Sequence, residues 1–210
     1  MKTEPPASKE PIAATLTGRA GIQSRRPPVT EAAEKIDLSR FIRSVPDFPK
    51  PGIMFRDITP LLSDPAAMRE AVRRMAKPYK PGSVDAVVGV EARGFIFGAA
   101  VALELRAGFV PVRKPGKLPA ETISVTYDLE YGTDTIEMHT DAIRRGARVL
   151  AVDDLLATGG TMAACCHLVE QAGGRIVGVE FLIELEFLKG RARLSGYPVR
   201  SQIVYASEEA

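Results

Sequence analysis

Tryptophan is absent from the 210 residues, and cysteine and histidine occur only twice each. Cys165 and Cys166 are neighbours on a predicted helix, where adjacent side chains point in different directions and cannot form an ordinary disulfide. Set beside only His139 and His167, they give no metal-site spacing, and His167 reads as a helix-surface residue. Neither sign of charge dominates, because 28 Lys and Arg face 26 Asp and Glu for a net charge of +2. The concentrated basic stripe of a nucleic-acid binder is missing, and no apolar run is long enough to span a bilayer. These absences argue against a disulfide scaffold, a nucleic-acid partner and a membrane anchor, and they point to a reducing compartment.

What is present suits a globular protein: 45% of residues are hydrophobic and 26% charged, in a chain long enough for one domain with a substantial core, with or without a small appendage. Residues 1–34 hold five prolines and charges of both signs without lasting periodicity. That composition cannot bury enough apolar area to offset ordering, so it reads as a disordered extension to a domain over 35–210. It lacks the apolar core of a secretory signal, and its four glutamates argue against a transit peptide.

A first helix is expected from Ala32 to Val45, with Ile36, Leu38, Phe41 and Ile42 apolar. Ser63 or Asp64 caps the next, with Pro65 in its first turn and Met68, Ala71, Val72 and Met75 as its buried stripe. Val84 to Val90, Phe109 to Val112, Ile176 to Ile183 and Ile203 to Tyr205 read as strands, while Ile123 to Leu129 and Thr135 to His139 alternate like an antiparallel pair. Buried strands alternating with helices imply an α/β fold: a mostly parallel twisted sheet flanked by helices, with ligands at the carboxyl ends of the strands.

The most informative stretch runs from Arg148 to Met162. An apolar run stops at Asp153 and Asp154, a loop of small and hydroxylated residues follows, and a helical pattern begins at Met162. A helix N-terminus carries free N–H groups and partial positive charge. Gly159 and Gly160 let backbone approach a phosphate, and the Thr158 and Thr161 hydroxyls can donate to it. Without the Gly-Lys-Ser/Thr ending of a P-loop, a nucleoside triphosphate is not the natural ligand. The two carboxylates would repel phosphate unless they faced ribose hydroxyls or hydrated Mg²⁺. The plain alternative is a helix capped by Asp154 after a tight glycine turn.

Three further stretches are less specific. Pro46 to Leu62 is dense in proline and glycine yet carries Phe48, Met54 and Phe55, which either cover the core or wall a pocket. Arg93-Gly94 at a strand-to-helix junction can hold an anion, or be a surface arginine with a turn. Arg113, Lys114 and Lys117 sit among turn residues, where cations are usually solvated.

The string of apolar strand, two acids and Ala-Thr-Gly-Gly-Thr resembles the phosphoribosyl-pyrophosphate motif of type I phosphoribosyltransferases. Leu155 to Met162, Pro51 to Leu62 and Glu184 to Arg191 are most similar to the adenine-specific enzymes of that family. The resemblance covers roughly residues 35–195. It implies transfer of a phosphoribosyl group from phosphoribosyl pyrophosphate to adenine, yielding AMP and pyrophosphate in purine salvage, in a cytoplasmic homodimer. It further implies that Asp153, Asp154, Ala157, Thr158, Gly159, Gly160 and Thr161 bind the ribose 5-phosphate, and that Arg93, Gly94, Lys114 and Lys117 bind pyrophosphate. Met54, Phe55, Arg56 and Leu185 would form an adenine slot in a small hood (about 46–62 and 184–195). Glu130 and Tyr131 would sit on a loop that closes over the site, joining Arg93 as catalytic residues. Mg²⁺ would be the cofactor, held through substrate and waters near Asp153 and Asp154 rather than by direct protein ligands. The rivals are a phosphoribosyltransferase for another purine or orotate, and a non-catalytic regulator that senses phosphoribosyl pyrophosphate; such regulators carry an N-terminal winged helix, for which the extension is too short.

Overall fold

The computed structural model describes residues 36–128 and 132–208. The extension over 1–34 and the loop residues Glu130 and Tyr131 therefore lie outside the described residues. The expected first helix is corrected to a single 3₁₀ turn, Leu38–Phe41, which the Asp37 carboxylate caps by accepting the Ser39 N–H at 3.1 Å. The chain then turns extended at Ile42 and forms β1 (Arg43–Val45), which pairs antiparallel with β2 (Phe55–Asp57). Apolar periodicity alone cannot foresee that strand partner ten residues on, and the tertiary pairing overrides the helical pattern.

Two helices follow, α1 (Thr59–Ser63) and α2 (Pro65–Ala76). Asp64 caps α2 by accepting the Ala66 and Ala67 N–H groups at 2.9 and 2.8 Å, and Pro65 takes the first position, where it has no N–H to waste. Next come β3 (Ala86–Val90), α3 (Arg93–Leu105) and β4 (Gly108–Val112). A hairpin of β5 (Thr122–Asp128) and β6 (Thr133–His139) precedes β7 (Arg148–Leu156), α4 (Gly160–Gln171), β8 (Arg175–Leu185) and β9 (Val199–Tyr205).

Five strands form one parallel sheet in the order β4-β3-β7-β8-β9. Helices cover both faces, which is why β3 and β7 read as near-continuous apolar runs. Helices α2 and α3 pack on one face through Met75, Phe97 and Val101, while α4 and the β5–β6 hairpin cover the other through Leu168, Ile136 and Met138. Strand β7 runs beyond its apolar stretch, through both aspartates to Leu156, because pairing of Leu155 with Ile183 and Leu156 with Glu184 carries the ladder on. Strand order reverses between β3 and β7. From β3 the chain steps outward to β4, and from β7 it steps the other way to β8 and β9, so the loops after β3 and β7 diverge and leave a crevice at their carboxyl ends.

Candidate active site

A cavity of about 300 Å³ occupies that crevice, lined by Val90 to Arg93 after β3 and by Asp153 to Met162 at the end of β7 and the start of α4. Gly159 is the N-cap of α4, with φ +80° and no side chain capping the helix. The first-turn N–H groups of α4 therefore keep their anion-binding capacity, and Asp154 is not a cap. Only glycine fits at 159: its φ is left-handed, and a Cβ there would come within 2.4 Å of the Gly190 carbonyl oxygen. The Thr161 hydroxyl donates to the Tyr127 hydroxyl at 3.0 Å, tying the phosphate loop to the end of β5.

The two acids take different surroundings. Asp154 is 5% exposed and forms an ion pair with Arg93, the first residue of α3. Asp153 accepts the Asp154 N–H at 2.9 Å and faces Gly94, where a Cβ would sit 2.7 Å from its Oδ1. Gly94 thus lets the start of α3 close on the end of β7. Burial, and next the Asp154 charge, push the Asp153 carboxyl well above the usual carboxylate range.

The cations of the basic loop are ion-paired while still partly open to solvent. Lys114 meets Asp134 at 3.1 Å, Lys117 pairs with Glu91 at the cavity rim, and Arg113 reaches Glu91 at 3.2 Å. The Lys117 ammonium holds the Glu91 carboxyl below its usual range. Arg113 and Glu137 exchange backbone hydrogen bonds at 2.9 and 2.7 Å, which fastens the loop to β6. Lys114 and Lys117 do not themselves line the cavity.

Phe55 does not line the cavity but brings the hood towards it, with its ring centroid 5.9 Å from the guanidinium carbon of the cavity-lining Arg93 and 5.0 Å from the Phe48 ring in an edge-on contact. The Arg56 side chain is turned away from this slot. It is 8% exposed, lies 3.8 Å above the Tyr205 ring, and donates to Ser44 Oγ at 2.5 Å and the Glu208 carbonyl at 2.7 Å. Only its backbone is left to read a base. Met54 donates its N–H to the Glu208 carboxylate at 3.3 Å. Leu185 ends β8 in register with Tyr205, so the second expected wall shares a neighbour with Arg56. Glu91, Tyr127 and Gly190 were missed by sequence reasoning. An acid after a strand, one aromatic in an alternating strand and a lone glycine carry no local signal of their partners.

A helix N-terminus shaped for phosphate, with an acid pair one step away suited to hydroxyls, defines a binder of a phosphorylated sugar. Among the described residues no cluster of three His, Cys, Asp or Glu could hold a metal. The donor set fits a cation carried by the ligand's own oxygens and waters beside Asp153 and Asp154.

Comparison with known proteins agrees. The phosphoribosyl transferase domain family matches residues 61–205. The adenine phosphoribosyltransferase of Solibacter usitatus is 60% identical over 169 residues, 80% of this chain and 98% of that one. The crystal structure of the Thermoanaerobacter pseudethanolicus adenine phosphoribosyltransferase superposes with a TM-score of 0.77 at 53% identity, covering 80% of this chain and 98% of that one. The Saccharomyces cerevisiae enzyme, crystallised with an imino-altritol bisphosphate and adenine, superposes with a TM-score of 0.72 at 41% identity over 79% of this chain and 96% of its own. The chain belongs to the phosphoribosyltransferase family and, within it, to the adenine phosphoribosyltransferases.

Proposed function

We infer that the residues around the cavity divide the work of one reaction: transfer of the 5-phosphoribosyl group from phosphoribosyl pyrophosphate to adenine, giving AMP and pyrophosphate. The observation that carries this is the uncapped N-terminus of α4 standing beside the Asp153–Asp154 pair in one crevice. The N–H groups of Ala157 to Thr161 and the Thr158 and Thr161 hydroxyls hold the 5′-phosphate, and this remote anchoring keeps C1′ of the ribose near the base. Asp153 and Asp154 bind the ribose hydroxyls. A carboxylate there also favours the positive charge that develops on the ribose as the anomeric C–O bond breaks.

Arg93 and Gly94 take the departing pyrophosphate, with Lys114 and Lys117 released from Asp134 and Glu91 to join them. Mg²⁺, when bound to the pyrophosphate oxygens, supplies further charge neutralisation for the leaving group. Phe55 stacks on the purine, Leu185 faces it, and backbone groups of Met54 and Arg56 read its edge. That the yeast relative was crystallised with adenine supports adenine as the acceptor. Glu130 and Tyr131 come two and three residues after the end of the strand that Tyr127 ties to Thr161, which supports a role for them in covering the site and excluding water.

The protein works as a cytoplasmic homodimer. In support, α3 turns Ile96 and Leu103 outward, 40% and 82% exposed and two turns apart on one side of the helix. No described helix is long and apolar enough to cross a membrane.

Pyrophosphate release, measured with donor and Mg²⁺ fixed and the acceptor varied across adenine, hypoxanthine, guanine, xanthine and orotate, tests the reading. Turnover confined to adenine is expected. Turnover with another base instead would overturn the roles given to Phe55 and Leu185 while leaving the phosphate loop standing.

A further inference from the structure

Outside the cavity, β8 ends in an acid that the chemistry above does not use. Glu184 is buried, and its carboxylate receives three donors: Arg191 Nε at 2.6 Å, Arg191 Nη2 at 2.7 Å and Ser201 Oγ at 2.6 Å. Burial alone would raise this carboxyl, but the Arg191 and Ser201 bonds outweigh it and hold it below the usual range, so the pair is ionised. A two-pronged arginine–carboxylate contact fixes orientation as well as distance. Arg191 spends a further N–H on the Val199 carbonyl at 2.9 Å, so one guanidinium joins the end of β8 to the start of β9.

Arg191 lies in the 3₁₀ turn Gly190–Leu194, and its neighbour Gly190 is pressed backbone to backbone against the phosphate loop. A Cβ on Gly190 would come within 2.2 Å of the Ala157 carbonyl oxygen, and a Cβ on Gly159 within 2.4 Å of the Gly190 carbonyl oxygen. Two backbone segments at such range transmit a shift of one directly to the other, since neither has a side chain that could give way. The rear of the loop Ala157 to Thr161 therefore rests on Gly190.

We propose that Glu184 and Arg191 are positioning residues for the 5′-phosphate: their ion pair, buried at Glu184 and half-exposed at Arg191, locks the Gly190–Leu194 turn, and Gly190 in turn sets the loop whose N–H groups bind the phosphate. This rests on the loop Ala157 to Thr161 being the phosphate site. Neither side chain touches substrate. Their effect is on the geometry of a donor array, where an error of about 1 Å costs on the order of 100-fold.

Ribose 5-phosphate binding by calorimetry, together with steady-state kinetics in donor and in adenine, provides the test. Arg191→Ala, in protein whose circular dichroism matches the parent, should weaken ribose 5-phosphate binding and raise KM for phosphoribosyl pyrophosphate by about tenfold or more, with KM for adenine changed less than about twofold. Arg191→Lys keeps the charge but loses the fork, so it should lie between Arg191→Ala and the parent; if Arg191→Ala does not fold, this variant carries the test. Thr161→Val is the control on the loop itself. If it weakens ribose 5-phosphate binding while both Arg191 variants bind like the parent, the positioning role is overturned. If Thr161→Val also binds like the parent, the loop is not the phosphate site and the proposal falls with that reading. A change confined to KM for adenine would likewise overturn it.

Discussion

At the scale of single residues, the most consequential ionisation outside the active site belongs to Glu180. It lies fully buried on β8, accepts the Tyr79 hydroxyl at 2.9 Å and the Gln202 amide at 3.1 Å, and has Arg200 at 3.6 Å. Burial pushes its carboxyl up to about 7, against the pull of these partners. The folded state thus holds the proton more tightly than the unfolded chain does. Stability from this source is present below the unfolded value and is lost as pH rises through about 7, a change on the order of 3 kcal/mol. Glu180→Gln should flatten the fall in urea-unfolding stability expected of the parent between about pH 4.5 and pH 7, the window of the unfolded and folded values. An equal slope in both proteins would remove Glu180 as its source. Gly159→Ala presents a different case, because two penalties coincide at one atom: left-handed φ and the nearby Gly190 carbonyl. Affinity for phosphoribosyl pyrophosphate should drop by about tenfold or more, measured as KM with adenine saturating.

At the scale of elements, helices and sheet strands were largely legible. The α2 cap at Asp64, the hairpin and the long buried strands all follow from local pattern. The errors fall where partners are distant in sequence. Ile36 to Val45 has a helical apolar spacing, but Arg43–Val45 finds a strand partner in Phe55–Asp57. Strand β7 outruns its apolar stretch because its ladder with β8 continues through Leu155 and Leu156, whose partners lie about 28 positions on in the sequence. The hood element is held from behind by the Arg56 side chain on Tyr205 and the Glu208 carbonyl. Arg56→Leu should therefore raise KM for adenine several-fold while leaving KM for phosphoribosyl pyrophosphate near the parent value, the reverse of the Arg191→Ala pattern. Steady-state kinetics in both substrates separates the two supports.

At the scale of the whole molecule, the strand order reverses between β3 and β7 while the strands stay parallel, and the candidate cavity sits at that reversal. Two halves of the chain thereby supply opposite sides of one crevice: Arg93 from the first, the phosphate loop from the second. The exposed apolar side of α3 bears on assembly. Leu103→Glu should shift the protein toward monomer in sedimentation velocity, since a charge there would have to be desolvated at an interface. A parent that sediments as a monomer would contradict the homodimer. A chain beginning at Lys35 should retain the parent turnover number and melting temperature, because the phosphoribosyl transferase domain match, residues 61–205, lies wholly after that point.

By itself the sequence determined the α/β class and the order of buried strand, acid pair, glycine loop and helix start, because each is a contiguous string whose physics is local: an apolar run, two carboxylates, and glycines where backbone segments approach closely. Only the tertiary structure decided which partner each charged group takes. Lys117 with Glu91, Arg93 with Asp154, Arg56 with the chain end, and Gly190 behind the loop are all contacts across long sequence separations. Burial and Coulomb energy select such pairs after the strands have packed, and no local pattern records the choice.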